Sequence, residues 1–220
     1  MEKRGTKRVE IEGIDDKRQI TAVFACTLSG KFLPIQLIYQ GTTQKCLPKG
    51  VSFPNNWHLT YTSNHWSNEK TTVEYLNSII LPYVRNTRSQ FSLDATHPAL
   101  VLFDVFRGQC TDQVFKILEE NNIFYVLIPP NCTDRLQPLD LSINKPAKDF
   151  MKRQFQNWYA SIILKQLEDG VEESVDLRLT IMKPLMANWM IDLYQYFTTQ
   201  PQLIVNGFQA AGITSSLSEV

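Results

Sequence analysis

The chain has 220 residues, of which 43% are hydrophobic and 20% are charged. This composition is that of an ordinary globular protein and excludes a disordered chain, and the length suits one compact domain with an extension. The 22 basic and 22 acidic residues cancel, whereas a free-standing nucleic-acid-binding protein is usually basic. Any contact with nucleic acid therefore has to come from a local patch or from another part of a longer protein.

The sequence predicts neither a secretory segment nor a membrane span. No apolar stretch follows Met1, and no segment approaches the roughly 18 apolar residues that a span requires. The four cysteines are widely spaced and form no Cys-x-x-Cys pair, which disfavours a structural zinc site. The simplest interpretation is a reduced, soluble, intracellular protein.

The first elements predicted along the chain form a β-hairpin. Residues 20–27 and 32–39 are rich in β-forming side chains, and Ser29-Gly30-Lys31 makes the turn between them. Residues 9–11 are a candidate for a short edge strand before this hairpin. Residues 41–63 predict a loop, because proline and glycine are spread through them.

Two helices and two strands are predicted next. Asn68 or Ser67 caps a helix that begins at Glu69, and residues 85–98 predict a polar connector. Two continuous apolar strands follow, at residues 99–103 and 124–128, with a helix capped by Thr111 between them. Because the strands are apolar on both faces and alternate with helices, we expect a sheet that is covered on both sides.

The last part of the chain predicts helices. Apolar residues recur every three to five positions from Ile143 to Ile162, so one face of a long helix is buried, and Gly170 ends it. Pro146 has to lie in its first turn or kink it. A further helix is predicted to start near Pro184, and residues 200–220 predict a polar tail with one short apolar patch. We expect one α/β domain over residues 1–170 and a helical extension over 171–220.

Asp104 and Asp140 are the residues that point to chemistry. Asp104 ends the apolar run Leu100-Val101-Leu102-Phe103, and Asp140 follows a proline-rich segment at the start of the long helix. In α/β sheets, chemistry collects at the carboxyl ends of strands, and two carboxylates that meet there can bind a divalent metal. Each residue alone has an ordinary interpretation. Asp104 can cap a turn, and Asp140 can be a favourable anion at a helix N-terminus.

A family resemblance rests on these flanking residues. The segment Ile128-Pro129-Pro130-Asn131-Cys132-Thr133, followed by Leu136-Gln137-Pro138-Leu139-Asp140, resembles the DDE superfamily endonuclease domain of pogo, Tigger and jerky-type transposases. The hairpin strands, with Gly30-Lys31-Phe32 between them, resemble the central hairpin of that family. Asn206-Gly207-Phe208 and Ala211-Gly212-Ile213 resemble its closing motif.

The resemblance implies an α/β, RNase H-like mixed sheet flanked by helices, and a catalytic triad of acidic residues. Asp104 matches the second carboxylate and Asp140 the third, whereas the strand that carries the first is missing from this chain. Asp15 and Asp16 are the nearest upstream acids. Val105 and Gln109 stand where the family often has Asn and His, and loss of such polar neighbours weakens metal positioning.

The implied cofactor is Mg²⁺ or Mn²⁺ at Asp104 and Asp140. A complete site of this kind activates an attacking water or 3′-hydroxyl and stabilises the leaving oxygen, so the ancestral activity is DNA cleavage and strand transfer. With two of three acids, we expect catalysis to be impaired. Whether the chain is an enzyme is left open by its sequence.

Candidate nucleic-acid contacts are Arg135, Lys145, Lys148 and Lys152. These basic residues could meet DNA phosphates, although a charged helix face is more often simply solvated. Trp57, Trp66, Trp158 and Trp189 predict packing rather than base stacking.

We therefore expect a nuclear, transposase-derived domain that binds DNA. The alternative is a non-catalytic interaction module that uses the helices beyond residue 170 for partners or for a homodimer. A third hypothesis is an α/β enzyme that holds one Mg²⁺ at Asp104 for a small phosphorylated substrate, which predicts a closed pocket over Asp104.

Overall fold

The computed structural model describes residues 20–171 and 173–218. Its strands form a mixed three-stranded sheet and a parallel two-stranded sheet, and helices surround both. The predicted edge strand at residues 9–11 and the acids Asp15 and Asp16 lie outside the described residues. The α/β class is confirmed. No helix in the described part of the chain is long and apolar enough to cross a membrane.

The three-stranded sheet contains the predicted hairpin and one strand that the sequence analysis missed. Strand β1 (Ile20–Val23) pairs antiparallel with β2 (Gln36–Gln40), and β2 pairs parallel with β3 (His58–Thr62). The prediction of a loop over residues 41–63 is therefore wrong at its end. The alternation in His58-Leu59-Thr60-Tyr61-Thr62 is a strand pattern, but the prolines and glycines before it dominated the prediction.

A bent helical segment leads from this sheet to the second one. It consists of α1 (Glu69–Tyr75), a π-helical turn (Leu76–Ile80) and α2 (Leu81–Gln90). Asn68 caps α1 as predicted, because its side chain accepts a hydrogen bond from the Thr71 amide and the Thr71 side chain returns one from the Asn68 amide. The polar connector predicted from residue 85 is wrong, since α2 continues to Gln90.

The second sheet pairs β4 (Ala99–Asp104) in parallel with β5 (Ile123–Ile128), and α3 (Asp112–Glu120) connects them. The Thr111 side chain caps α3 as predicted. The prediction of a sheet covered on both sides is wrong here. Leu100 is 62% exposed, Phe124 is 60% exposed and Val126 is also exposed, so one face of this sheet carries an uncovered apolar surface.

The remaining chain is helical. After the short helices α4 (Thr133–Leu136) and α5 (Pro138–Ser142) come the longer ones: α6 (Asn144–Asp169), α7 (Leu179–Thr198), α8 (Pro201–Ala210) and α9 (Ile213–Ser218).

Three details of these helices can be compared with the predictions made from the sequence. Pro146 lies in the first turn of α6, where no hydrogen-bond donor is needed, and Gly170 ends this helix in the left-handed conformation. Helix α7 begins before Pro184, which lies inside it. Helix α8 occupies part of the predicted polar tail.

Two hydrophobic cores hold the fold together. The first lies between the three-stranded sheet and the C-terminal helices, with fully buried Tyr39, Leu193, Phe197 and Ile204. The second lies between the β4–β5 sheet and helices α1 to α3, with fully buried Leu76, Val114 and Leu118. The helices beyond residue 171 thus contribute to the core of the sheet. The domain boundary at residue 170 stays a prediction.

Candidate functional site

Asp104 lies at the carboxyl end of β4. It pairs in register with Ile128, which ends β5, so the two strands finish at the same edge of the parallel sheet. The chain leaves that edge through Pro129-Pro130 and Asn131, whose φ of 62° is a left-handed turn conformation. The amide of Leu136 then donates to the Cys132 carbonyl at 2.8 Å. This turn brings the chain to α5.

Asp140 lies in the first turn of α5 and is exposed. The Asn144 side-chain amide donates a hydrogen bond to its Oδ1, which orients the carboxylate. Helix α5 itself is fixed by burial of Pro138 and Ser142, and the Ser142 hydroxyl donates to the Pro138 carbonyl at 2.7 Å.

Helix α8 packs against α5 through Gly207. A Cβ built on Gly207 would lie 2.3 Å from the Ser142 Oγ and 2.7 Å from the Pro138 carbonyl oxygen. Real Cβ atoms do not come this close, so only glycine permits the contact. The Asn206-Gly207-Phe208 motif noted in the sequence therefore allows α8 to pack closely against α5, the helix that carries Asp140.

The two carboxylates influence each other. Asp104 is half-buried, and this burial raises the pKa of its carboxyl. The negative charge of Asp140 raises the pKa of Asp104 further. Like charges act in this way at short range. The catalytic and metal-binding roles of the two residues stay predictions.

Cys110 and Gln109 are the polar neighbours that follow Asp104. The Cys110 thiol lies 4.0 Å from the Asp104 carbonyl oxygen, and burial together with the Asp104 charge raises the pKa of that thiol. Both effects favour the neutral thiol over the thiolate, which is the better metal ligand. The Gln109 Oε1 atom is buried without a hydrogen-bond partner in the described residues.

The donor set fits a hard divalent cation in kind but is incomplete in number. Carboxylate oxygens are the ligands that Mg²⁺ and Mn²⁺ prefer, and Asp104 and Asp140 supply them. Within residues 20–171 and 173–218, no three His, Cys, Asp or Glu side chains come together as a metal cluster.

The four basic residues predicted to contact nucleic acid are all exposed. Lys145, Lys148 and Lys152 lie three and four positions apart on α6, so they share one face of this helix. Arg135 lies in the last turn of α4. In the part of the chain that the structure describes, none of the four forms an ion pair.

The prediction that all four tryptophans pack is wrong for one of them. Trp57 and Trp189 are buried, and Trp158 meets Trp189 edge to face at 6.3 Å. Trp66, by contrast, is 59% exposed. Its polar neighbours Asn64, Ser67 and Asn68 are the sequence feature that could have indicated this.

Residues 17–204 match the family model described as DDE superfamily endonuclease. The chain belongs to this family. The resemblance drawn from the Leu-Gln-Pro-Leu-Asp segment and the hairpin is thus confirmed.

Pogo-type proteins are among the relatives of this DDE endonuclease-family chain. It is 26% identical to the human protein "Pogo transposable element with KRAB domain" and 25% identical to its mouse counterpart, over 93% of the chain in both cases. It is 17% identical to the human "Pogo transposable element with ZNF domain" over 87% of the chain. The chain spans 30% of the length of the first two and 12% of the third. No solved structure matches it.

Proposed function

We propose that this chain is a nuclear, DNA-binding domain derived from a transposase, whose ancestral metal-dependent cleavage is impaired. The observation that carries the proposal is the electrostatic coupling of Asp104 and Asp140 in a DDE endonuclease-family chain, where the described residues offer no third carboxylate beside them. DNA is the proposed partner because the family acts on DNA and four exposed cations lie on the elements next to Asp140. A DNA partner places the domain in the nucleus.

An RNase H-like arrangement, with β1 and β4 in the same layer, is the proposed finer fold. Residues of β1 and β4 alternate between the same two cores, since Ala22 and Leu102 pack on the first while Val23 and Val101 pack on the second. Yet among the described residues β1 pairs only with β2, and β4 only with β5. This shared alternation supports the assignment of β1 and β4 to one layer between the same two cores.

Asp104 and Asp140 would hold Mg²⁺ or Mn²⁺ in this proposal. The bound ions supply the activation of a water or 3′-hydroxyl and the stabilisation of the leaving oxygen. Asn144 orients the Asp140 carboxylate, and the half-buried position of Asp104 makes metal binding compete with protonation. Because the described residues bring no third carboxylate to this place, we expect both metal affinity and turnover to be low.

The test is a comparison of DNA binding and DNA cleavage by the 220-residue chain with Mn²⁺. We expect binding to DNA and no cleavage above background for the wild type, and weaker Mn²⁺ binding by titration calorimetry for Asp104→Asn. Asp149→Asn, at an exposed position on α6, is the matched control. Cleavage by the wild type that Asp104→Asn abolishes contradicts the impairment, and absence of any DNA binding contradicts the proposal as a whole.

A second candidate function, a homodimerisation module, is favoured by an apolar stripe on α6. Leu164, Leu167 and Val171 are exposed, at 59%, 52% and 44%. Val171 follows Gly170, where α6 ends, so the stripe on the helix consists of Ala160, Leu164 and Leu167, at the four- and three-residue steps of a coiled-coil seam. The opposite face of α6 already packs on α7 through Trp158, so the stripe is a second apolar face. This stripe lies on α6, before the helices beyond residue 170 that the sequence analysis considered for partners or a homodimer.

A second copy of this chain is the proposed occupant of the stripe, in the antiparallel orientation. Antiparallel pairing sets Leu164 of one copy against Leu167 of the other. Helix α6 is basic at its start, with Lys145 and Lys148, and acidic around Glu168 and Asp169. A parallel pair would set Glu168 and Asp169 of the two copies side by side, whereas the antiparallel pair keeps these like charges apart.

Sedimentation velocity over a range of concentrations tests the dimer. We expect a monomer–dimer equilibrium that the double substitution Leu164→Glu, Leu167→Glu abolishes, while Leu100→Glu, at an equally exposed position on β4, leaves it unchanged. For orientation, Ala160→Cys alone should form no disulfide between copies, because antiparallel pairing sets the two copies of this position about 16 Å apart along the helix axis. A wild-type monomer at every concentration, or self-crosslinking of Ala160→Cys alone, overturns this candidate.

The third hypothesis, a small-molecule phosphate enzyme, gains no support. A cavity of about 70 Å³ lies between the three-stranded sheet and the helices α6 and α7. Its lining is apolar and does not include Asp104.

A further inference from the structure

We propose that Trp66 and Arg107 form a contact site for an unpaired nucleotide beside Asp104, with the indole stacking on the base and the guanidinium binding a phosphate. This inference rests on the proposed DNA binding and adds to it a site and a preference for unpaired over duplex DNA. Neither residue was singled out for such a role by the sequence.

The loop that carries Trp66 lies against the loop that follows Asp104. It leaves β3 after Thr62, and its His65 Nδ1 atom lies 3.2 Å from the Thr21 hydroxyl, at the start of β1. A Cβ on Gly108 would lie 2.9 Å from the Cα of Asn68, so the backbones of the two loops touch there. Trp66 is two residues from this contact and Arg107 is next to it. Their Cα atoms are thus at most about 15 Å apart, a gap that the two long side chains can bridge around a nucleotide.

Trp66 is held in its exposed position by ordered backbone. The amide of Trp66 donates to the Asn64 Oδ1 at 3.2 Å, and the Thr62 hydroxyl donates to the Trp66 carbonyl at 3.1 Å. Asn68, two residues on, belongs to the capping box of α1. A large aromatic ring that is 59% exposed on a fixed loop loses little conformational entropy when it binds a flat partner.

Arg107 supplies the charge that such a partner needs. It is exposed, and it takes part in no ion pair with any of the residues that the structure describes. Its guanidinium is therefore available for a phosphate. Lys70, the other cation near this loop, lies 3.8 Å from Glu74 and is already partly neutralised.

The combination favours an unpaired nucleotide over a base pair. In a duplex the base faces are covered by their neighbours, whereas an unpaired base can expose a face to an aromatic ring. One stacked base contributes about 1–3 kcal/mol of binding free energy by alanine substitution, in any sequence. The site would thus hold a frayed or single-stranded end next to Asp104 without reading its sequence.

The experiment measures fluorescence anisotropy of labelled single-stranded, duplex and 3′-overhang DNA with the full 220-residue chain. We expect Trp66→Ala to weaken binding of single-stranded and overhang DNA by at least about fivefold, Trp66→Phe to keep most of the affinity, and duplex binding to stay within twofold. Arg107→Ala should lower the slope of log affinity against log salt by about one unit. Phe91→Ala is the matched control, because Phe91 is 64% exposed at the far end of α2.

The outcomes separate this inference from the proposed function. If the wild type binds DNA but Trp66→Ala binds all three DNAs as well as the wild type does, the nucleotide site is wrong and the DNA-binding proposal stands. If the wild type binds none of them, both are wrong. Equal losses for Trp66→Ala and Phe91→Ala also overturn the site. Circular dichroism confirms that each variant is folded, and Trp66→Phe repeats the test with a minimal change.

Discussion

The two sheets of this molecule differ in how completely their side chains are buried. In the three-stranded sheet, β2 is closed on both sides, and Leu37, Ile38 and Tyr39 are almost completely buried. In the two-stranded sheet, α1 to α3 cover one face while Leu100, Phe124 and Val126 on the other remain exposed. Asp104 lies at the end of this half-covered sheet. The closed half, with the three-stranded sheet, therefore contributes most to the stability of the fold. The candidate site lies in the other half, where the Asp104 carboxylate keeps access to solvent and ions.

The largest expected effect comes from the closed half. Phe197 is fully buried and its ring centroid lies 5.1 Å from that of Phe32. Phe197→Ala removes these contacts and leaves a cavity, which should lower the free energy of unfolding by about 3–5 kcal/mol. Urea denaturation measures this, with Phe124→Ala on the open sheet as control, for which we expect less than about 1 kcal/mol. Similar losses for both variants would break the comparison.

Buried Arg88 stabilises the half of the molecule that contains the two-stranded sheet. It is buried, and its guanidinium donates to the carbonyls of Ala95 at 2.7 Å and Asn121 at 3.0 Å. Arg88→Leu leaves these carbonyls without their donor and should cost about 2–3 kcal/mol in urea denaturation. Arg85→Leu is the control, since exposed Arg85 makes a single side-chain hydrogen bond to Asn121 at 3.3 Å. An unchanged midpoint for Arg88→Leu would show that the tether is dispensable.

Gly207 connects the closed half to the candidate site. Gly207→Ala forces α8 away from Ser142 and the Pro138 carbonyl, at a cost of about 1–3 kcal/mol of stability. Because α5 also carries Asp140, we expect Mn²⁺ affinity measured by calorimetry to fall as well. Gln209→Ala, at an exposed position on the same helix, should change neither quantity. Loss of stability with unaltered Mn²⁺ affinity would show that the packing of α8 does not influence metal binding at the candidate site.

The smallest effect concerns the charge of Asp104. Burial, together with the charge of Asp140, raises the pKa of Asp104 above its unfolded value. The protonated form is thus favoured in the folded state, and this contribution to stability is complete below the unfolded pKa of about 3.9. It is lost as the pH rises through the folded pKa.

Asp104→Asn should therefore stabilise the protein at pH 7 and have little effect at pH 3.5, by thermal unfolding. A destabilised Asp104→Asn variant at pH 7 would mean that the carboxylate is held by favourable contacts instead.

Local sequence patterns predicted the elements whose reasons are local. The Asn68 and Thr111 caps, the end of α6 at Gly170 and the hairpin of β1 with β2 follow from side chains within a few residues of each element. Strand β3 was missed because the prolines and glycines before it indicated a loop, and its parallel pairing with β2 is not a local feature. The start of α7 was placed too late, because a proline is tolerated there by packing that the sequence does not display.

The features of the candidate site also fall into those that the sequence predicted and those that only the tertiary structure decided. The sequence by itself determined the family, through the Leu-Gln-Pro-Leu-Asp segment and the hairpin, and it marked Asp104 and Asp140 as the acids of interest. Only the tertiary structure decided that one face of the β4–β5 sheet is open, that Gly207 packs behind Asp140, and that exposed Trp66 lies beside the loop after Asp104. The physical reason is that caps and turns depend on neighbours along the chain, whereas burial and the meeting of charges depend on segments that only folding brings together.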